Sequence, residues 1–324
     1  MTADTFGLAD VRAAAARIDG YVHRTPLVSS RLLDRELCVQ VVAKGEHLQR
    51  VGAFKARGAF NAMLAMGPAE RARGVIAVSS GNHAQAVALA AAETGTSAVI
   101  VMPEGSNPAK LAATRAYGAE VVSQGVPAAE RERVVRELAA ERGLHLVHPF
   151  DDLHVMAGQG TAALELLADA GELDAVLVPT GGGGLLSGTA AAVKGLAPAT
   201  RVIGVEPATA ADAQASLRAG RLVRLAEPPS TIADGVRAQM LGERPFAVIS
   251  RLVDDIVTVT DDELLAALAL IWSRTKQLVE PSAALPVAAL LTGAVTAPQG
   301  RRVGVVLSGG NVDAAGLARL LAAG

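Results

Sequence analysis

Val75-Ile76-Ala77-Val78-Ser79-Ser80-Gly81-Asn82-His83-Ala84 opens on an apolar run, turns on small polar residues and passes into alanine-rich sequence. A short β-branched run closed by a Ser/Gly turn reads as a buried strand. The Ala/Leu-rich stretch after it reads as a helix. Between them lies a helix N-terminus, where unpaired N–H groups and the positive end of the helix dipole face an anion. The pattern recurs at Val176-Leu177-Val178-Pro179-Thr180, followed by Gly181, Gly182, Gly183, Gly184 and Leu185. It recurs again at residues 303–307, followed by Ser308-Gly309-Gly310-Asn311.

Working outward, the same alternation fills the chain. Strands are expected at 39–43, 75–79, 98–101, 120–123, 144–147, 175–179, 202–205, 256–259 and 303–307. Helices are expected at 84–93, 108–117, 128–142, 160–170, 185–194 and 263–276, among others. Near-continuous apolar strands alternating with helices imply parallel sheets covered on both faces. The number of units exceeds one comfortable sheet, so two α/β domains are expected.

Glycine-rich βα turns are also routine in α/β folds, and any one of them alone is weak. No G-x-G-x-x-G registers at 181–184, and no Gly-Lys-Ser/Thr follows, so neither a dinucleotide fingerprint nor a P-loop is present there. A glycine turn still lets backbone approach a phosphate closely. Lys55 stands among small and apolar neighbours in Gly52-Ala53-Phe54-Lys55-Ala56-Arg57-Gly58-Ala59. A lysine is ordinarily a solvated surface charge. Burial disfavours the ammonium and supplies a neutral amine, a base or nucleophile.

Composition narrows the classes. The formal net charge is −2 and aromatics make up 2%, which offers neither the basic face nor the stacking rings of nucleic-acid binding. No run approaches a membrane span, and the polar start Met1-Thr2-Ala3-Asp4 does not read as a signal peptide. A single cysteine, Cys38, excludes an internal disulfide and suits a reducing, cytoplasmic setting. The histidines show neither an H-x-x-x-H pair nor a Cys/His cluster, so catalytic zinc is not expected.

Taken in order, the lysine motif at 52–59, Ser79-Ser80-Gly81-Asn82-His83, the tetraglycine turn and Ser308-Gly309-Gly310-Asn311 resemble the fold-type II pyridoxal phosphate (PLP) enzymes. The branch they resemble holds the threonine/serine dehydratases and serine racemases. Arg24-Thr25-Pro26-Leu27, His148-Pro149-Phe150-Asp151-Asp152, Ala157-Gly158-Gln159-Gly160-Thr161, Thr231-Ile232-Ala233-Asp234-Gly235 and Val279-Glu280-Pro281-Ser282 also match. The resemblance implies two open twisted parallel-sheet α/β domains, tryptophan synthase β-like, with PLP in the cleft between them. A large PLP-binding domain of 1–68 and 150–324 would carry a small domain of 69–149 as an insertion. It also implies a homodimer or higher oligomer and a small amino-acid substrate. No regulatory domain follows residue 311, so control by isoleucine is not expected.

The resemblance assigns roles. Lys55 holds PLP as a Schiff base and, once displaced, removes the Cα proton. Gly181, Gly182, Gly183, Gly184 and Leu185 give N–H groups to the cofactor phosphate. Asn82 meets its 3′-oxygen, and Phe54 and Gly235 lie close to its ring. Ser308 faces the ring nitrogen. A hydroxyl there leaves the nitrogen largely unprotonated, stabilises a carbanion less than a carboxylate would, and favours prompt β-elimination over transamination. Ser308 can equally cap a following helix. Ser79, Gly81, Asn82 and His83 hold the substrate α-carboxylate. Ser80 matches the acid/base serine opposite the lysine in racemases, or is simply a turn residue. Glu206, Ala210 and Asp212 match a divalent-cation site, whose oxygen donors suit Mg²⁺, Ca²⁺ or Mn²⁺. Otherwise Glu206 ends a strand and Asp212 starts a helix.

Val51 and Ala53 stand where many relatives have Thr and Ser, and Phe150 where some racemases have Asn. The expected activity is an L-threonine/L-serine ammonia-lyase. Serine racemase and threo-3-hydroxyaspartate dehydratase are alternatives on the same scaffold, the latter needing a cation for the second carboxylate of its substrate. A non-catalytic PLP or amino-acid sensor is the reading from another class. Lys55, Ser80 and Ser308 speak against it.

Overall fold

The computed structural model describes residues 1–324 except 107, 128, 297, 298, 313, 314, 317 and 319–324. The strands are β1 Leu27–Val28, β2 Gln40–Lys44, β3 Val75–Val78, β4 Ala98–Val101, β5 Glu120–Val122, β6 His145–Leu146, β7 Ala175–Pro179, β8 Arg201–Pro207, β9 Asp255–Val259 and β10 Arg302–Val306. They form a six-stranded sheet, β1-β2-β10-β7-β8-β9, and a four-stranded sheet, β5-β4-β3-β6. The fold is α/β with parallel sheets. Among the described strands only β1, which pattern reading does not anticipate, pairs antiparallel, against β2.

Both faces of each sheet are buried, as the unbroken apolar runs require. In the larger sheet Leu177, Ile203, Val205, Val303 and Val305 face one way, into a core with the helices Asp261–Thr275 and Pro281–Leu291. Val176, Val178, Val202, Ile256 and Val306 face the other, towards Leu8–Ile18, Leu153–Ala170 and Gly184–Leu196. In the smaller sheet Val75, Ala77, Ala98 and Ile100 meet the alanines of Asn82–Glu93 and the helix Lys55–Ala65. Ile76, Val78, Val99 and Val101 face Val135.

Most element boundaries fall within a residue or two of expectation. The clear departure is the helix expected at 160–170, which begins at Leu153. Asp152 caps it, with Oδ1 accepting from the amides of His154 at 2.7 Å and Val155 at 3.0 Å. Gly158 and Gly160 weaken the helical signal locally, yet both are packing contacts. A Cβ on Gly158 would lie 2.5 Å from the Arg57 carbonyl oxygen, and one on Gly160 2.5 Å from that of Gly188. The helix expected from residue 128 runs as Arg131–Arg142, with Ala128 itself outside the described residues.

The topology locates the crevices. In the larger sheet the chain leaves β7 towards β8 and β9, while β10 and β2 lie on the other side. In the smaller sheet it leaves β3 towards β4 and β5, while β6 lies on the other side. Open α/β sheets bind ligands outside the carboxyl ends of strands at such switch points. Those ends carry residues 180–184 and 307–311 in one sheet, and 79–83 and 147–150 in the other.

Candidate active site

The four segments converge. Lys55 is the first residue of its helix, and Nζ donates to the Pro149 carbonyl at 2.7 Å, 5.1 Å from the centroid of the Phe54 ring. The residue keeps some surface towards the cleft, but its amine is lodged deep. Burial pushes the ammonium down to about 8, with the Glu280 carboxylate pulling the other way. The lysine segment is pinned to the β10 turn by backbone bonds and by Asn311 Nδ2, which donates to the Val51 carbonyl at 2.7 Å. The Phe54 amide donates to the Ser308 carbonyl at 3.0 Å, and the Gly310 amide to Gly52 at 2.9 Å. Ser308 is buried at the end of its strand, and residues 309–312 are not helical, so the reading of Ser308 as a helix cap fails.

The tetraglycine turn is a cradle that side chains cannot enter. A Cβ on Gly182 would fall 2.3 Å from the Phe150 ring, and one on Gly181 3.0 Å from the Val236 Cα. Gly183 has φ +91°, left-handed backbone that disfavours any other residue. Gly184 opens the helix Gly184–Leu196, whose first amides have no partner within it. Phe150 packs on this turn, its ring edge-on to His148 at 4.6 Å between centroids. Gly235 sits beside it, its amide bonded to Ser282 Oγ at 3.0 Å. A backbone anion cradle and a buried amine beside it fit a phosphorylated aromatic aldehyde such as PLP.

Across the cleft, Gly81 precedes the helix Asn82–Glu93. Ser79 Oγ accepts from the Gly81 amide at 3.2 Å, and Ser80 is exposed at the tip of the turn. The His83 ring is buried: Nε2 meets the Val147 carbonyl at 3.0 Å, and burial, with the charge of Lys55 adding to it, pushes the ring down to about 3. What His83 offers an anion is therefore its amide, while its neutral ring ties the turn to the end of β6.

Two groups of residues escaped functional assignment in the sequence. The first is Glu280 with Asn311. Asn82 Nδ2 donates to both Glu280 oxygens, at 3.0 and 3.1 Å, while Asn82 Oδ1 accepts from Asn311 Nδ2 at 2.8 Å. This chain fixes the orientation of the Asn82 amide. Burial pushes Glu280 up to about 7. Glu280 and Asn311 both lie in stretches that match the family, Val279-Glu280-Pro281-Ser282 and Ser308-Gly309-Gly310-Asn311, without a role attached to either residue. The second is an ionic network beneath the lysine helix. Arg57 Nε and Nη2 donate to Glu46 at 2.8 Å, and Nη1 and Nη2 to Glu165 at 2.7 and 2.8 Å. Lys44 pairs with Glu165 at 2.6 Å, and Thr25 Oγ1 donates to Glu46 at 2.6 Å.

Glu206 at the end of β8, with Ala210 and Asp212 just after it, forms a separate cluster not joined to Lys55 by any hydrogen bond among the described residues. Glu206 accepts from the amides of Ala213 at 3.1 Å and Gln214 at 2.8 Å, and Asp212 Oδ2 is buried without a partner. Burial pushes Glu206 up to about 8 and Asp212 up to about 7. Two buried carboxylates, one with an orphaned oxygen, fit a hard divalent cation completed by water. No group of three or more His, Cys, Asp or Glu gathers among the described residues.

Comparison with known proteins gives the same picture. The L-threo-3-hydroxyaspartate ammonia-lyase of Saccharomyces cerevisiae is 48% identical over 316 residues, covering 97% of this chain and 95% of that protein. The serine racemase of Schizosaccharomyces pombe is 44% identical, covering 94% of each. The crystal structure of the T.th. threonine deaminase superposes with a TM-score of 0.90 at 54% identity, covering 95% of this chain and 99% of that one. The family model described as pyridoxal-phosphate dependent enzyme matches residues 18–309, and with Lys55 and its glycine cradle inside that span, the chain belongs to this family.

Proposed function

We propose that this enzyme eliminates water from a small L-3-hydroxy-amino acid, with L-threo-3-hydroxyaspartate as the first substrate, giving a 2-oxo acid and ammonia. The observation that carries the reading is the buried Lys55 amine between two anion-binding turns, one for a cofactor phosphate and one for a substrate carboxylate. Two ammonia-lyases for L-threo-3-hydroxyaspartate, at 48% and 47% identity, move that substrate ahead of the threonine and serine expected from motifs. The threonine deaminase likeness at 54% identity favours L-threonine and L-serine as the second reading. Exposed Ser80, opposite the lysine by resemblance, keeps serine racemisation within reach of the same site.

PLP supplies an electron sink for the pair left when the Cα–H bond breaks. The amides of residues 181–185 hold its phosphate, Phe54 and Gly235 flank its ring, Asn82 donates to its 3′-oxygen and Ser308 meets its nitrogen. The amides of Ser79, Gly81, Asn82 and His83 bind the substrate α-carboxylate at the helix N-terminus. Lys55 Nζ takes the Cα proton. The β-hydroxyl leaves with the equivalent of the Cα proton as one water, and the released enamine takes up one water as it hydrolyses to 2-oxo acid and ammonia. Hydroxyaspartate yields oxaloacetate, serine pyruvate and threonine 2-oxobutanoate. In this reading residues 1–68 and 150–324 form the large PLP-binding unit and 69–149 the small one inserted in it. Glu206, Ala210 and Asp212 hold a structural divalent cation. The protein is a cytoplasmic homodimer, to which the exposed Leu48 and Leu278 beside the His47–Gln277 hydrogen bond lend an apolar patch.

The test is turnover of each substrate by the holoenzyme, with 2-oxo acid as readout. Lys55→Ala is expected to lose about 10²–10⁴-fold or more in kcat. Normal turnover in that variant would end the mechanism, and turnover of none of the three amino acids would end the substrate reading.

A further inference from the structure

We propose that Lys110 is the cation that selects a substrate with a second carboxylate, and that Asp234 occupies it until that carboxylate arrives. The proposal rests on the hydroxyaspartate reading above and adds a residue that the motifs do not contain.

Lys110 lies on the helix Pro108–Ala116, which joins β4 to β5 of the smaller sheet. Asp234 lies in the segment between β8 and β9 of the larger sheet, one residue before Gly235. Lys110 Nζ nevertheless reaches Asp234 Oδ2 at 2.9 Å. The ion pair therefore crosses between the two sheet units. Its position over the site is marked twice. Gly235, its neighbour, is held by Ser282, and a Cβ on Gly235 would lie 3.6 Å from Glu280 Oε1. Glu280, bonded to Asn82, feels the charge of both Asp234 and Lys110.

A dicarboxylic substrate needs two anion sites. The turn at Ser79–Asn82 and its helix N-terminus take the first carboxylate by backbone dipoles. The second, taken from water without a partner, weakens binding unless a cation meets it. The other cations near the cleft are committed. Lys55 is the base, Arg237 spends its guanidinium on the Thr231 carbonyl, and Arg244 turns to Asp151. Among the described residues, Lys110 Nζ is held only by a side-chain carboxylate, the same chemical group as the second carboxylate of the substrate. Both partners keep much of their surface, 33% for Lys110 and 46% for Asp234. Such a pair is weak and exchanges at little cost. A monocarboxylic substrate has nothing to offer Lys110 and leaves the pair closed.

The test uses holoenzyme, with L-threo-3-hydroxyaspartate and L-serine as substrates and Lys110→Gln and Lys110→Arg as variants. In Lys110→Gln the ratio of kcat/KM for hydroxyaspartate to that for serine is expected to fall by about tenfold or more, mostly through KM. Lys110→Arg is expected to recover most of the ratio. Succinate, a dicarboxylate that is not turned over, gives a second readout by calorimetry. It is expected to bind more weakly to Lys110→Gln and more tightly to Asp234→Asn, which frees the lysine. A ratio within about threefold of wild type in Lys110→Gln overturns the assignment and leaves hydroxyaspartate as substrate. If that variant loses turnover of both substrates, unchanged succinate affinity overturns it. A wild-type enzyme that dehydrates serine but not hydroxyaspartate removes the substrate reading and Lys110 with it.

Discussion

Lys55 and His83 are both basic groups whose protons are disfavoured by burial, to different ends. For Lys55 the result is an amine that titrates near neutrality and can serve as base. For His83 it is a neutral ring that serves as a tie between β3 and β6. Linkage follows from the second. Below pH 6.5 the unfolded chain protonates this histidine, while the folded protein resists down to about 3, so stability falls as pH falls through that window. His83→Gln, which can keep the bond to Val147, is expected to flatten the dependence of the urea midpoint between those two pH values. An unchanged slope would assign the acid sensitivity elsewhere. Arg57 makes a different case. It is fully buried between Glu46 and Glu165, themselves held against Lys44 and Thr25. Arg57→Met strands two carboxylates and is expected to cost about 3–5 kcal/mol in denaturant unfolding. A cost under about 1 kcal/mol would show that the network adds little beyond packing.

Among elements, the helix Leu153–Ala170 is the most instructive. Its cap, Asp152, also ends the segment that bears Pro149 and Phe150, so the cap sets where those residues enter the cleft. Asp152→Ala is expected to cost about 1 kcal/mol by thermal or urea unfolding. Because the same loop places the Pro149 carbonyl, kcat is expected to fall along with stability. Loss of stability with wholly unchanged kinetics would separate the cap from the site. The start of this helix was illegible in sequence because Gly158 and Gly160 read as weak helix formers. Both are glycine because the backbones of neighbouring helices occupy the space of a side chain. Close helix packing is a property of two elements, and the sequence of one does not report it.

Across the whole molecule, the site exists because the carboxyl ends of two sheets face each other at their switch points. The chain closes the cleft with long-range bonds, such as Asn82 to Glu280, 198 residues apart. The Glu206, Ala210 and Asp212 cluster lies off this axis, at the end of β8, and the effect expected of a cation there is on the larger sheet as a body. Mg²⁺, Ca²⁺ or Mn²⁺ is expected to raise the Tm of the wild type, chelator to lower it, and Asp212→Asn to abolish the response. An equal rise in wild type and variant would place the cation elsewhere.

The alternation of apolar strands and helices, the glycine turns and the small residues around Lys55 were all legible in sequence. Each depends on periodicity or turn chemistry within a few residues. Glycine is demanded at 182 and 183 by contact and backbone angle at the turn itself, so a run of four glycines announces a close-packed turn locally. Other features were decided only by the tertiary structure: the choice of Glu280 to orient Asn82, the ionic bed under the lysine helix, the tie of the His83 ring to Val147 and the Lys110–Asp234 bridge. Each pairs groups far apart in the chain, and their energies depend on distance and burial, which no local pattern of residues encodes.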